Sequence, residues 1–517
     1  MEALVRRLRR LPPAAWVTAA VVGGSMLFVL LQLQPNLIVV DNTPSGGDMG
    51  AHVWAPAHLR DDLLPHGRIT GWAPDWYAGF PAYHYYFPLP SLVIVALDLF
   101  LPYGVAFKLV TAVGMVGLPA AAYAFGRLTR LAFPLPPLLG LATVPFLFDR
   151  YHTIWGGNAA ATLAGEFSFS IALTLALVFL GVFGRGLETG RGRVLAAGLF
   201  GATALCHLIP AVFAVAGAAA LFLLRGLNRR GLGFTAVTAA LGGAVPAFWL
   251  VPFLARLRYS NDMGWERTMA YLENLFPYLR DDVATSSTAH MRLVVVLAAA
   301  GAMAGLARRR WPVAALSATA LLAAAAFRIV PAGPIWNARF LPFWYLCLYL
   351  LAAVAVGEIV LTVANALARA RDPSVPETHA GARRVRVAAA WASLWGVFSV
   401  VSGLLAADRD ALYLLAAAIG ALHIWTAGLA RRPTAALLGA LANLAAASGM
   451  LHAVLLVATS GARRSAGDTF FLRLGLLQLV WAAVLVVWQR KAERAVEPGF
   501  EAQPAASPAP AAAPARA

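Results

Sequence analysis

The run AAWVTAAVVGGSMLFVLLQL (residues 14–33) is followed closely by DNTPSGGDMGAHVWAPAHLRDDLLPHGRITGWAPDWYAGFPAYHYYFPLP (residues 41–90). The first stretch is uncharged and long enough to cross a hydrocarbon core of about 30 Å as a helix. The second is polar and aromatic. It holds five carboxylates, Asp41, Asp48, Asp61, Asp62 and Asp75, and four of the ten histidines. An apolar span that opens directly into such a loop describes a membrane protein with its chemistry gathered at one face.

The rest of the chain extends this reading. Apolar residues make up 60% of the 517 and charged residues 13%, well away from a soluble composition. Apolar runs recur without alternation, so they are helices and not strands of a barrel. The expected fold is all-α and polytopic, with about 14 spans (12 if the shortest fail): 14–33, 104–126, 135–149, 166–184, 194–208, 209–224, 233–254, 291–307, 312–328, 340–362, 388–406, 411–429, 434–459 and 470–488. Residues 91–101 are too short to cross and read as an interfacial or re-entrant piece. The net charge of +17 does not point to a nucleic-acid partner, because the arginines sit between apolar runs. That pattern sets topology and places both termini in the cytoplasm and the 41–90 loop outside. The first run is longer than a signal-peptide core, and no small-residue cleavage site follows it, so a retained anchor is expected. The chain then divides into a basic N-terminus with the first span (1–40), the first outer loop (41–101), a transmembrane core (102–362), a basic cytoplasmic loop (363–387), further spans (388–495) and a disordered Pro/Ala tail (496–517). Cys206 and Cys347 both lie in apolar runs and read as core residues.

Several polar residues are candidates for chemistry. Asp48 precedes an expected interfacial helix and could cap it. If that segment is helical, His52 lies one turn on, on the same face, and the two could form a general-base unit. Arg60, Asp61 and Asp62 follow; a solvated face with an Arg60 ion pair is the plainer reading. Trp72, Trp76, Tyr77, Phe80, Tyr83, Tyr85, Tyr86 and Phe87 cluster around Asp75 and His84. They fit either an interfacial aromatic belt or a platform for sugar rings. Ionisable residues within spans are expensive, about 2.5–3.5 kcal/mol each at a helix centre on insertion scales, so those near or within spans face a cavity or a partner. Asp149, Arg150, Asn158, Glu166, His207 and Arg339 all fall at the outer ends of spans, on the side of the long loop. Glu358 falls on the other side. No phosphate-binding glycine loop, nucleophile elbow or zinc-protease motif is present. A divalent cation is compatible with the loop carboxylates, but the sequence names no ligand set.

The run from Gly46 to Pro90, with VAFKLVTAVG, FDRYHTIWGGNAAATLAGEFSFS, ALCHLIP and NARFLPFWYL, resembles a family of bacterial and archaeal integral membrane proteins. That family is called 6-pyruvoyl-tetrahydropterin synthase-related. The paired metal-histidine motif that pterin-synthase chemistry would need is not in this sequence. The architecture is also similar to the GT-C class of membrane glycosyltransferases. This resemblance implies a polyprenyl-phosphate-linked sugar as donor and a cell-envelope acceptor. It places Asp48 where that class keeps a loop carboxylate, although several GT-C families carry a paired acidic motif there and here the Asp stands alone. On this reading Asp48 and His52 are catalytic. Arg60, Asp61, Asp75, Trp76, Tyr77, His84, Arg150, Asn158, Glu166, His207 and Arg339 bind substrate, with Arg339 or Arg150 on the donor phosphate. Two alternatives stay open: a transporter or flippase for a lipid-linked glycan, and a non-catalytic scaffold of a cell-envelope complex.

Overall fold

The computed structural model describes residues 13–149, 154–262, 267–279, 285–331 and 333–371. Arg150, the spans expected beyond residue 371 and the Pro/Ala tail lie outside these residues. Leu361 closes the first of two compact units.

Among the described residues the fold is helical. The elements are α1 (Pro13–Gln32), α2 (Met49–His58), a hairpin of β1 (Gly71–Ala73) and β2 (Phe80–Ala82), α3 (Pro88–Asp98), α4 (Tyr103–Leu128), α5 (Leu135–Leu147), α6 (Phe167–Thr189), α7 (Arg193–Cys206), α8 (Leu208–Leu221), α9 (Arg229–Ala244), α10 (Ala247–Ala255), α11 (Thr285–Ala307), α12 (Trp311–Ile329) and α13 (Leu341–Arg371). Each of the first ten expected spans is met by a helix. Seven helices are long and apolar enough to cross a bilayer, eight if one bent pair counts as a span. The total of 14 is therefore not established by the described residues. Helices α5 and α7, at 13 and 14 residues, are shorter than the roughly 20 residues a full crossing needs.

The span expected at 233–254 is not one straight helix. It is broken into α9 and α10, bent by 72°. Pro246 stands at the break as the N-cap of α10. It has no N–H to give, and its ring clashes with the preceding turn. The 91–101 segment falls mostly in the 11-residue helix α3, about 16 Å long and too short to span.

Helices α4, α6 and α13 carry much of the core. Between apolar helices in lipid, packing contacts supply the association energy, so small residues matter at crossings. Gly114 of α4 lies against the Ser170–Ile171 backbone of α6, where a Cβ would sit 2.6 Å from Ile171 N. Thr174 donates its hydroxyl to Gly114 O at 2.8 Å. Phe343 of α13 stacks between Phe169 and Phe213, with ring centroids 5.5 and 4.6 Å apart.

Charge separates the two ends of the bundle. Glu166 stands just before α6 and Glu188 near its end, twenty-two residues apart, which is about 33 Å of helix. Glu188 gathers Arg130, Arg185 and Arg225 at 3.4, 3.6 and 3.4 Å. On α13, Glu358 pairs with Arg308 and Arg310. The opposite end carries the long loop.

Candidate functional site

The site is built where three breaks in regular helix meet. The first is the start of α2. Gly46 and Gly47, at φ +97° and +52°, turn the chain so that Asp48 becomes the N-cap residue. Its backbone N–H donates to Ala164 O at 2.8 Å. Its side chain makes no capping hydrogen bond, and the residue is exposed. The carboxylate is therefore not the side-chain cap that the sequence allowed.

The second break lies just before α6. Gly165 has φ +133°, inside a π-helical turn, Thr162–Glu166. A Cβ there would lie 2.9 Å from Asp48 Cβ and 3.1 Å from His52 Cδ2. A Cβ on Gly47 would lie 2.3 Å from Ala164 O. Both glycines are needed for the two segments to touch. Position 165 has no backbone alternative, since other residues rarely adopt that φ.

His52 follows one turn after Asp48, as the sequence spacing anticipates, and its N–H bonds to Asp48 O at 3.2 Å. Burial pushes its imidazole down to about 4, partly countered by the Asp48 charge. It is neutral at physiological pH. Its Nε2 is 3.5 Å from Tyr86 Oη, the outer limit of a hydrogen bond. Burial, then the nearby Glu166 charge, raises the Tyr86 phenol above its ordinary range, so Tyr86 keeps its proton as a donor.

The third break is at His207, whose extended backbone separates α7 from α8. Its Nδ1 accepts the Ile209 N–H at 3.2 Å. This places the ring proton on Nε2, 3.8 Å from Glu166 Oε2. Phe87 and Phe169 hold the ring, at 4.3 and 5.2 Å between centroids. Glu166 Oε1 pairs with Arg339 Nη2 at 2.5 Å. Arg339 also donates through Nη1 to Ile154 O at 3.0 Å. Its short helix, Asn337–Phe340, is anchored by Asn337, which donates to Thr268 O and Phe327 O and accepts from Thr268 N. Glu166, His207 and Arg339, far apart in sequence, thus form one cluster. It adjoins Asp48 and His52 through Gly165 and Tyr86.

Other expected site residues lie elsewhere. Arg60 holds Asp61 at 2.6 Å and Asp98 of α3 at 2.6 Å, with its guanidinium over Tyr103. Its hydrogen bond keeps Asp61 below the ordinary carboxylate range. These links brace the π-helical turn Leu59–Leu63 and run to Asp98 and Tyr103. Trp76 packs on Trp54 at 4.5 Å, and Trp54 stacks on His58. Asp75 and Tyr77 stand exposed at the hairpin tip. His84 is partly buried, and burial followed by the Arg256 charge lowers its basicity. Asn158 is fully buried. Its carboxamide caps Ala161 N at 2.9 Å and donates to Asp149 O at 2.8 Å. Asp149 accepts from Tyr349 Oη at 2.9 Å, with His290 at 3.6 Å. Among the described residues no three of His, Cys, Asp and Glu group as metal ligands.

Gly165 was not among the residues expected from sequence, and Tyr86 was expected only as a member of the aromatic run. Tyr86 was one aromatic among eight. Gly165 did carry a signal, as a glycine beside a carboxylate in an apolar run.

A family model described as "6-pyruvoyl-tetrahydropterin synthase related domain; membrane protein" matches residues 83–408. The chain belongs to this family. As a member of the 6-pyruvoyl-tetrahydropterin synthase related family it is a multi-pass membrane protein, in keeping with the helices above. A search of curated protein sequences finds no match. Among solved structures, it is similar to the arabinofuranosyltransferase AftD from Mycobacteria, with TM-score 0.45 and 17% identity over 67% of this chain and 24% of that one. The chain thus spans about a quarter of that relative's length. It is also similar to ArnT from Cupriavidus metallidurans bound to undecaprenyl phosphate, with TM-score 0.43 and 16% identity over 94% of this chain and 80% of that one.

Proposed function

We propose that this chain is an extracytoplasmic membrane glycosyltransferase that moves a sugar from a polyprenyl-phosphate donor to a hydroxyl of a cell-envelope acceptor. The observation that carries the reading is Asp48: an exposed carboxylate at a helix start, free of capping duty and fixed by two glycines beside His52 and the Glu166–Arg339–His207 cluster.

In the proposed reaction Asp48 takes the proton of the acceptor hydroxyl. The acceptor oxygen attacks the anomeric carbon and forms the new glycosidic bond. The bond from that carbon to the donor phosphate breaks, and polyprenyl phosphate leaves with the electron pair. Arg339 meets the charge that develops on the phosphate. Glu166 and Ile154 O occupy only part of its five-donor guanidinium. Glu166 and His207 hold the arginine in place. His52, neutral and close to Tyr86, orients groups around the base. Arginine density supports the sidedness: Arg130, Arg185, Arg225, Arg308 and Arg310 gather at the far end, which the positive-inside rule assigns to the cytoplasm.

The test is transfer of radiolabelled sugar from a polyprenyl-phosphate donor in membranes containing wild type or Asp48→Asn. Transfer by the variant is expected to fall about 10²-fold or more, the usual worth of a general base. Its expression and thermal midpoint should match wild type, because the lost carboxylate caps nothing. Full transfer by Asp48→Asn removes Asp48 from the chemistry.

A further inference from the structure

The chain has two lysines against 39 arginines, and one of them, Lys108, sits in the second turn of α4. Its Nζ donates to Leu37 O, Val40 O and Asn42 Oδ1, each at 2.6 Å. An ammonium has three N–H bonds, and all three are used. Three acceptors converging on one nitrogen suit a tetrahedral ammonium; a planar guanidinium cannot meet them this way. Hydrogen bonds from a charged donor are also about twice as strong as neutral ones.

Neighbouring residues of α4 act on the same loop. Gly104 N donates to Asp41 Oδ1 at 3.1 Å. A Cβ on Gly104 would lie 2.4 Å from Asn42 O, so the loop rests directly on the helix backbone there. Phe107 shares a buried cluster with Met49 and Phe167, the residues next to Asp48 and Glu166. The Tyr103 hydroxyl donates to Val53 O. One side of α4 therefore grips residues 37–42 and residues 49–53, on both sides of Asp48.

We propose that Lys108 is a positioning residue for the reaction: its three-way grip on residues 37–42 fixes the loop that presents the Asp48 carboxylate. This rests on the reading of Asp48 as the base. It assigns to Lys108 no contact with substrate, and it explains why an ammonium stands here in a chain with 39 arginines and one other lysine.

The test uses the full-length protein carrying Ser45→Cys, with the buried Cys206 and Cys347 left in place. Lys108→Met and Lys108→Arg are compared with Lys108 for two readouts. The first is the rate at which a membrane-impermeant maleimide alkylates position 45 in detergent. It should rise about 5-fold or more in both variants, as the loop exchanges into open states. The second is sugar transfer. The turnover number should fall about 10-fold while KM for the donor stays within about 2-fold, since orientation and not binding is lost. Arginine should not rescue either readout. Unchanged alkylation in Lys108→Met overturns the grip whatever transfer shows. Faster alkylation with wild-type turnover overturns the positioning role alone. Absence of transfer by the Lys108 protein overturns the base reading and the proposal with it. Should Lys108→Met fail to accumulate, Asn42→Ala removes one acceptor and must move both readouts in the same direction.

Discussion

Replacing Gly165 by alanine tests the geometry of the site without touching a charged group. The new Cβ would lie 2.9 Å from Asp48 Cβ and 3.1 Å from His52 Cδ2. Carbon contacts settle near 3.5 Å, so the start of α2 must retreat by about 0.6 Å or the turn before α6 must rearrange. The backbone adds its own cost. At φ +133° an alanine is strained by about 1–3 kcal/mol. A misplacement of about 1 Å at a reacting group costs about 10²-fold in rate, so a retreat of half that size predicts a loss of about 10-fold. The assay is donor-dependent sugar transfer at saturating donor, measured beside Gly190→Ala. Gly190 also has positive φ, at +69°, but it ends α6 at the basic end. There a Cβ meets only the Arg230 side chain, at 3.3 Å. Gly190 lies in the left-handed region, at φ +69° and ψ +7°, which an alanine enters for about 1–2 kcal/mol, so the control carries a milder strain and should transfer sugar normally. Wild-type transfer by Gly165→Ala would refute the reasoning. So would an equal loss in both variants, since general destabilisation would then explain it.

Two further outcomes follow from other features. With Ser45→Cys in the long loop and Arg309→Cys between α11 and α12, an impermeant maleimide added to intact cells should label position 45 only; labelling at 309 would reverse the orientation argued from arginine density. The folded chain holds His52 down to about 4, against about 6.5 when exposed. Between those values the unfolded chain binds a proton that the folded chain refuses, so this contribution is whole above about pH 6.5 and lost as pH falls toward 4. The thermal midpoint of wild type in detergent should therefore drop over that interval more than that of His52→Asn, and parallel profiles would remove the effect.

Much of the fold was legible because the bilayer constrains it so strongly. Any uncharged run near 20 residues has to be a helix there, and the ten runs up to residue 362 meet helices. Sequence was weaker where a run is apolar but internally broken. The 233–254 run reads as continuous by hydropathy, and only the Pro246 geometry bends it into α9 and α10.

For the site, the sequence by itself determined that Asp48 and His52 share a face one turn apart, because helical spacing is local. It also determined that Glu166, His207 and Arg339 belong at span ends, because a charge in lipid is too costly to leave unpartnered. Which of these meet was decided by tertiary structure alone. Arg60 and Asp61 are loop candidates beside Asp48 in the sequence, yet Arg60 is tied to both Asp61 and Asp98. Tyr86 looks like one more interfacial aromatic, yet it stands over His52. Partner choice depends on long-range approach, and here that approach is set by two glycines: Gly47, where a Cβ would strike Ala164 O, and Gly165, where it would strike Asp48 and His52. A missing side chain has no pattern of its own in a sequence, and its meaning appears only when the backbone that fills the space is in view.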